Sequence, residues 1–135
     1  MEEAKKKINE DSTYAELARD LKESYTLVMQ AEPNKGVKET LVLGFEIANG
    51  KMTEAWRGER KTTFILSASY GAYVDILTGK LNVTKAFITR KLKIKGSLAR
   101  LLKTSKATER FVDVLRTIPT EFEGEYQGRS TGKAE

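Results

Sequence analysis

The apolar positions change period several times along the chain, and each change marks an element. Between residues 12 and 31, Tyr14, Leu17, Ala18, Leu21, Tyr25 and Val28 recur at spacings of three and four. That spacing gathers them on one stripe and predicts a long first helix over 12–31. Thr13 and Glu16 fit the reciprocal S/T-x-x-E cap at its start. Pro33, Asn34 and Gly36 end it. The period then becomes two: Leu41, Leu43, Phe45 and Ile47 fall on one face, and Thr40, Val42, Gly44 and Glu46 on the other. Asn49-Gly50 supplies the positive φ values of a two-residue hairpin turn, so a strand over Met52 to Arg57 pairs antiparallel with the first. After the turn at Gly58-Glu59-Arg60, Thr62 to Ala68 alternates as a third strand. Taken in order, these strands predict a three-strand meander.

Helical spacing returns at Tyr70, Tyr73, Val74 and Leu77, with Gly79 where a C-terminal cap belongs. Asn82 caps a short helical turn reaching Ala86 and Phe87. Residues 87–95 alternate again, with Ile88, Leu92 and Ile94 opposite Lys91, Lys93 and Lys95. A period-two lysine row suits an exposed sheet edge or face. Ser97 opens a last helical region, either one bent helix or two short ones, carrying Leu98, Leu101 and Leu102 and then Phe111, Val112, Leu115 and Ile118. Pro119 stops it, and the polar, Gly-rich residues 119–135 are expected to form a loose tail to a single domain over 1–118.

Charge sharpens this outline. The formal +5 is uneven: Lys80 to Lys106 holds nine basic residues and no acidic one, leaving fifteen basic and nineteen acidic residues, a net −4, for the rest. Such a stripe suits an anionic partner such as nucleic acid, an acidic membrane surface or a phosphate or carboxylate head, and equally a solvated face. The chain has 135 residues, enough for a core without a metal or disulfide staple. It contains no Cys and no His, which excludes thiol nucleophiles, Ser-His-Asp relays, Cys/His zinc sites and imidazole switching. Neither a G-x-G-x-x-G turn nor a P-loop occurs. Asp75, Glu109 and Asp113 form no catalytic motif, and the strand aromatics Phe45, Trp56 and Phe64 alternate with the apolar face, which favours burial over base stacking. No apolar run has the roughly 18 residues of a membrane span, and residues 1–7 carry no signal-peptide hydrophobic stretch. The expectation is a soluble intracellular protein.

One stretch goes beyond pattern. Leu77-Thr78-Gly79-Lys80-Leu81-Asn82, then Ala86-Phe87, then Lys91-Leu92-Lys93-Ile94-Lys95-Gly96 resembles the signature of the sterol carrier protein type 2 (SCP-2 sterol transfer) domain family. Val83 stands where many members have Pro, and Arg90 where Gly is frequent. The terminal Lys133-Ala134-Glu135 is not the small residue followed by Lys-Leu that addresses proteins to peroxisomes, so the cytoplasm is expected. The resemblance implies an α+β fold: a five-stranded, mainly antiparallel sheet with helices covering one face and enclosing an apolar tunnel. It implies a carrier that binds fatty acid, fatty acyl-CoA, or a phospholipid, sterol or isoprenoid, without chemistry and without a cofactor or metal.

On that expectation the tunnel is lined by Leu43, Phe45, Tyr73, Leu77, Ile88, Leu92, Ile94, Leu98, Leu101, Leu102, Phe111, Val112 and Leu115. The cations Lys91, Lys93, Lys95, Arg100 and Lys103 face an anionic head group or a membrane surface. Burying a 16-carbon tail at about 0.8 kcal/mol per methylene gives a gross gain of roughly 12 kcal/mol, less immobilisation. Two other classes remain open: a nucleic-acid-binding module using residues 80–106, and an accessory or oligomerisation subunit of a lipid- or quinone-processing system. An enzyme is the least expected.

Overall fold

The computed structural model describes residues 2–129. Helices α1 (Glu2–Glu10) and α2 (Ser12–Leu17) precede strand β1 (Lys22–Gln30), and β2 (Leu41–Ala48), β3 (Lys51–Arg57) and β4 (Phe64–Ser69) follow. The second half comprises α3 (Tyr70–Leu77), α4 (Val83–Ile88), β5 (Lys93–Lys95), α5 (Leu98–Lys103) and α6 (Ser105–Leu115). The five strands form one sheet in the order β3-β2-β1-β4-β5, antiparallel except for the β1–β4 pair, which is parallel.

The predicted long helix over 12–31 is the main correction. Its cap is Asp11, whose carboxylate accepts the Tyr14 N–H at 2.8 Å, and not the Thr13–Glu16 pair. The helix ends at Leu17, and residues 22–30 are the central strand. Spacings of three and four through Leu21, Tyr25 and Val28 competed with a second pattern in the same residues. Tyr25, Leu27 and Met29 alternate with Ser24, Thr26 and Val28, and pairing on both sides of β1 settles the contest for the strand.

With β1 in the middle, the meander is corrected too. The β2–β3 hairpin forms at Asn49-Gly50, both with positive φ, but β4 leaves β3 and pairs with β1 instead. The connection 58–63 must cross three strand spacings, about 14 Å, within the roughly 20 Å that six residues can reach. It crosses on the helix-free face, where Thr26 Oγ1 and Thr62 Oγ1 lie 2.8 Å apart and the Thr63 N–H donates to Ser24 Oγ at 2.9 Å.

Register sorts the sheet into two faces. Tyr25 pairs with Phe45 and Phe64, Leu27 with Leu43 and Leu66, and Leu66 with Ile94. These residues face the helices, with α6 packing against α1, α2, α3 and α4 in the layer above. At one end the packing is dense: Phe64, Ile8 and Ile47 are fully buried and line no cavity. Asn9 of α1 clamps β3 there, its side chain bonding both the N–H and the C=O of Met52.

The helix-free face carries Trp56, which lies flat over Gly44, its register partner. Arg60 stacks on the indole at 4.3 Å. Trp56 is therefore half-buried on the outer face, and the burial in the apolar core that strand alternation suggested for it is corrected.

In the second half, Ser69, Asn82 and Ser97 each accept a backbone N–H as helix caps, and Gly79 ends α3 with φ +87°. Residue 88 belongs to α4, so the alternating strand predicted over 87–95 shrinks to Lys93–Lys95. The last helical region is two helices, broken at Thr104.

Residues 120–129, expected to be loose, pack on α3 as far as they are described. Phe122 and Tyr126 are buried with Val37, Tyr70 and Val74 in a second apolar cluster. The Glu123 N–H donates to the Tyr70 hydroxyl at 3.0 Å, and the Tyr126 hydroxyl donates to Glu32 at 2.8 Å. Gly36 and Gly124 touch backbone to backbone, both at positive φ, leaving no room for a Cβ. Two aromatics thus outweigh the glycines and glutamates that made the segment read as a tail. Residues 130–135 lie outside the described residues.

Candidate functional site

The covered face of the sheet is not filled to its far end. Between β1, β2, β4 and helices α3, α4 and α6 lies an apolar cavity of about 100 Å³. Its walls are Tyr14, Leu21, Tyr25, Leu27, Met29, Phe45, Leu66, Tyr73, Ile76, Leu77, Val83, Phe87, Leu92, Leu101, Thr108, Phe111, Val112 and Leu115. A larger groove of about 570 Å³ adjoins it at the end of β1 and β2 where Leu41, Leu43 and residues 118–123 meet. Leu27, Met29, Phe45, Tyr73, Leu77, Phe111 and Leu115 line both spaces, so cavity and groove are two sides of one apolar wall.

The polar atoms near this wall are quiet. The Tyr73 hydroxyl donates to the Leu66 carbonyl at 2.6 Å, and Thr108 Oγ1 donates to the Thr104 carbonyl at 3.1 Å. Burial pushes the phenols of Tyr14, Tyr25 and Tyr73 well above their ordinary range, so all three stay neutral at physiological pH. Glu23, which continues the inward row of β1, is buried but neutralised by Arg100 at 2.6 Å. No group of three or more Asp or Glu side chains among the described residues could hold a metal ion.

An unfilled apolar space is costly. At about 24 cal/mol per Å³, the inner cavity alone represents roughly 2 kcal/mol of lost packing. Apolar cavities of this kind stay dry and accept apolar guests. The arrangement can therefore gain stability by taking up an apolar chain.

Of the residues expected to line a tunnel, Leu43 is on the groove, Leu92, Leu101 and Val112 on the cavity, and Phe45, Tyr73, Leu77, Phe111 and Leu115 on both. Four are elsewhere. Ile88 closes α4 and is 61% exposed, and Leu98 is 37% exposed at the start of α5. Ile94 packs on the core from the edge strand, and Leu102 is half-buried, neither reaching the cavity. Ile88 was misplaced because the helix runs one residue past Phe87 and turns it outward.

The expected cations do not converge on the apolar mouth. Arg100 is held by Glu23, and Lys95 and Lys103 line neither space. Lys91 and Lys93 instead border a polar cleft with Glu32, Asp75, Tyr126 and Arg129. The cavity residues missed in the sequence include Tyr25, Leu27 and Met29, whose alternation within β1 was the available signal. Leu21, Leu66, Ile76, Val83 and Phe87 carried no distinguishing mark beyond being apolar.

Comparison with solved structures places the fold. A crystal structure of sterol carrier protein 2 superposes with a TM-score of 0.78 at 22% identity, covering 87% of this chain and 93% of that one. A conserved hypothetical protein from Thermus thermophilus, described as possibly a sterol carrier protein, gives 0.77 at 22% identity, covering 97% and 86%. Palmitated SCP2L2 from Aedes aegypti gives 0.57 at 13% identity, covering 78% and 86%. No curated protein matches the chain. The five-stranded mixed sheet roofed by helices is thus the fold of these sterol carrier protein structures. The model of the SCP-2 sterol transfer family matches residues 1–109, and the chain belongs to that family.

Proposed function

We propose that this protein is a non-enzymatic carrier that holds the tail of a long-chain lipid between the sheet and helices α3 and α6. A fatty acid or fatty acyl-CoA fits this reading, as does a sterol or isoprenoid of similar length. The carrying observation is the wall shared by cavity and groove: a chain entering past Leu43 and Leu115 would meet a lining that is apolar apart from Thr108 and the tyrosine hydroxyls as far as Leu21 and Leu101. Membership of the SCP-2 sterol transfer family supports the same reading. No cofactor is needed, because sequestering a tail requires displacement of water and nothing else.

Exchange of cargo would bring the basic segment against an anionic membrane surface in transit, with the cytoplasm as the working compartment. No helix among the described residues is long and apolar enough to cross a membrane. The nucleic-acid reading, which rests on residues 80–106, gains no support from the open sheet face, where Trp56 is covered by Arg60.

Intact-protein mass spectrometry of the purified chain under non-denaturing conditions tests the proposal. Adducts of lipid mass, identified after solvent extraction, are expected. A bare protein that also fails to take up added fatty acid would defeat it.

A further inference from the structure

The proposed carrier role leaves one surface unexplained. Lys80, Lys85, Arg90, Lys91, Lys93, Lys95, Lys103 and Lys106 are all exposed, and none forms a salt bridge among the described residues. Two large apolar side chains stand out of this same segment, Ile88 at 61% exposure and Leu98 at 37%. Between them runs β5, the edge strand of the sheet, so Ile88 and Leu98 flank an edge whose outward side chains are Lys93 and Lys95.

The edge lysines by themselves need no partner, since charge on an edge strand discourages sheet-to-sheet pairing. Nor does a single exposed aliphatic residue. The backbone at Arg90 is the independent observation. Arg90 follows the C-cap of α4 with φ +63°, the left-handed position that glycine fills at least cost. Among the described residues only Asn49 shares this trait outside glycine, and asparagine tolerates it. The chain thus accepts backbone strain to project a cation two residues from its most exposed large aliphatic side chain. Backbone of this kind is held where the surrounding structure over-determines it, and such positions cluster at functional sites.

Other surfaces lack the combination. Leu17 is 44% exposed, but the nearby Arg19 is paired with Glu16 and Asp20. The one aliphatic residue of α1 larger than alanine, Ile8, is buried.

We propose that the β5 edge, from Ile88 through Arg90 and Lys95 to Leu98, is a docking surface for an anionic lipid bilayer. The unpaired cations meet the lipid phosphates and carboxylates, while Ile88 and Leu98 enter the interfacial layer. The partner is a bilayer because an anionic bilayer offers negative charge and apolar depth together along one surface, the complement of this edge. This rests on the carrier reading for its purpose but not for its test.

Flotation with vesicles of phosphatidylcholine alone, and of phosphatidylcholine mixed with phosphatidylserine, separates the outcomes. The parent protein is expected to float with the mixed vesicles only, and salt should release it. Arg90→Gly should lower partition about fivefold, from the loss of one surface cation, and raise Tm by about 3 °C, from relief of the left-handed backbone. Ile88→Ser should lower partition about tenfold, with Tm unchanged because the side chain is exposed. Leu17→Ser, the control, should float like the parent.

Parent-like partition of both Arg90→Gly and Ile88→Ser would overturn the proposal. So would equal binding to neutral vesicles, release of the protein from vesicles by polynucleotide at equal charge, or a self-association that Ile88→Ser abolishes. Uptake of a fluorescent fatty acid, measured in parallel, should not change in these variants. Loss of uptake in the parent would defeat the carrier reading alone and leave the vesicle result standing.

Discussion

The two faces of β1 show how one strand supports two kinds of packing. On the helix-free side, Ser24 and Thr26 sit under a loop fixed by hydroxyl contacts, with Trp56 flat on Gly44 and Arg60 on top of the ring. These contacts cover that part of the face with side chains and loop. On the helix side, Tyr25 is stacked between Phe45 and Phe64 at 4.8 and 5.5 Å, but Leu27 and Met29 border empty space. Dense packing at one end of the covered face lets the remaining part of the same face stay unfilled without collapsing.

Substitutions on the two faces, and at the two ends of the covered face, should therefore differ in kind. The largest loss is expected at the dense end. Phe64→Ala should cost about 3–5 kcal/mol in urea unfolding, because the residue is fully buried and ring-stacked. Met29→Leu, beside the cavity, should cost less than about 1.5 kcal/mol; equal losses at both positions would mean that the covered face is uniformly packed.

Next comes the open face. A Cβ on Gly44 would fall on the indole of Trp56, so Gly44→Ala should displace the ring, cost about 1–3 kcal/mol, and shift the tryptophan emission to the red. An unshifted spectrum would remove Trp56 from this face.

The smallest of the three effects belongs to the ion pair that anchors α6 to the start of α2. Arg110 grips Asp11 through two bonds, at 2.6 and 2.9 Å, and this hydrogen bonding holds the carboxyl below the ordinary aspartate range. A depressed carboxyl stabilises the fold above its unfolded pKa, and the stabilisation disappears as pH falls through the folded value. Arg110 is partly exposed, so screening limits the effect to about 1 kcal/mol. Asp11→Asn should thus lower Tm at pH 7, with the gap to the parent closing on acidification below about pH 4. A gap that stayed constant with pH would mean the pair contributes packing alone.

How far the sequence foretold this division differs between regions. The β2–β3 hairpin was legible because Asn49-Gly50 and the Leu41–Ile47 alternation are local signals that tertiary contacts reinforce. The caps at Ser69, Asn82 and Ser97 and the stop at Gly79 were legible for the same reason. Strand β1 was not: residues 21–28 satisfy a helical spacing and an alternating one together, and only the neighbours on each side of the strand choose between them. Losing the central strand turned a mixed sheet into a meander.

For the site, residues of α3 and α6 and Leu101 of α5 could be placed by their stripes, whereas Leu98, Leu102 and Ile88 could not; the direction of Ile88 depends on whether a short helix ends at residue 87 or 88. The left-handed backbone at Arg90 and the pairing of Arg100 with Glu23 depend on three-dimensional neighbours that no spacing conveys.

The central claim, that the unfilled part of the covered face is a lipid site, is tested most directly by titrating a fluorescent fatty acid into the parent and into Leu27→Trp. Leu27 lies on the wall common to cavity and groove, so an indole there takes up space that a tail would need. Saturable uptake by the parent and at least tenfold weaker uptake by a variant that still unfolds cooperatively is the predicted result. Undiminished uptake by Leu27→Trp would show that the lipid binds somewhere else and would contradict the account.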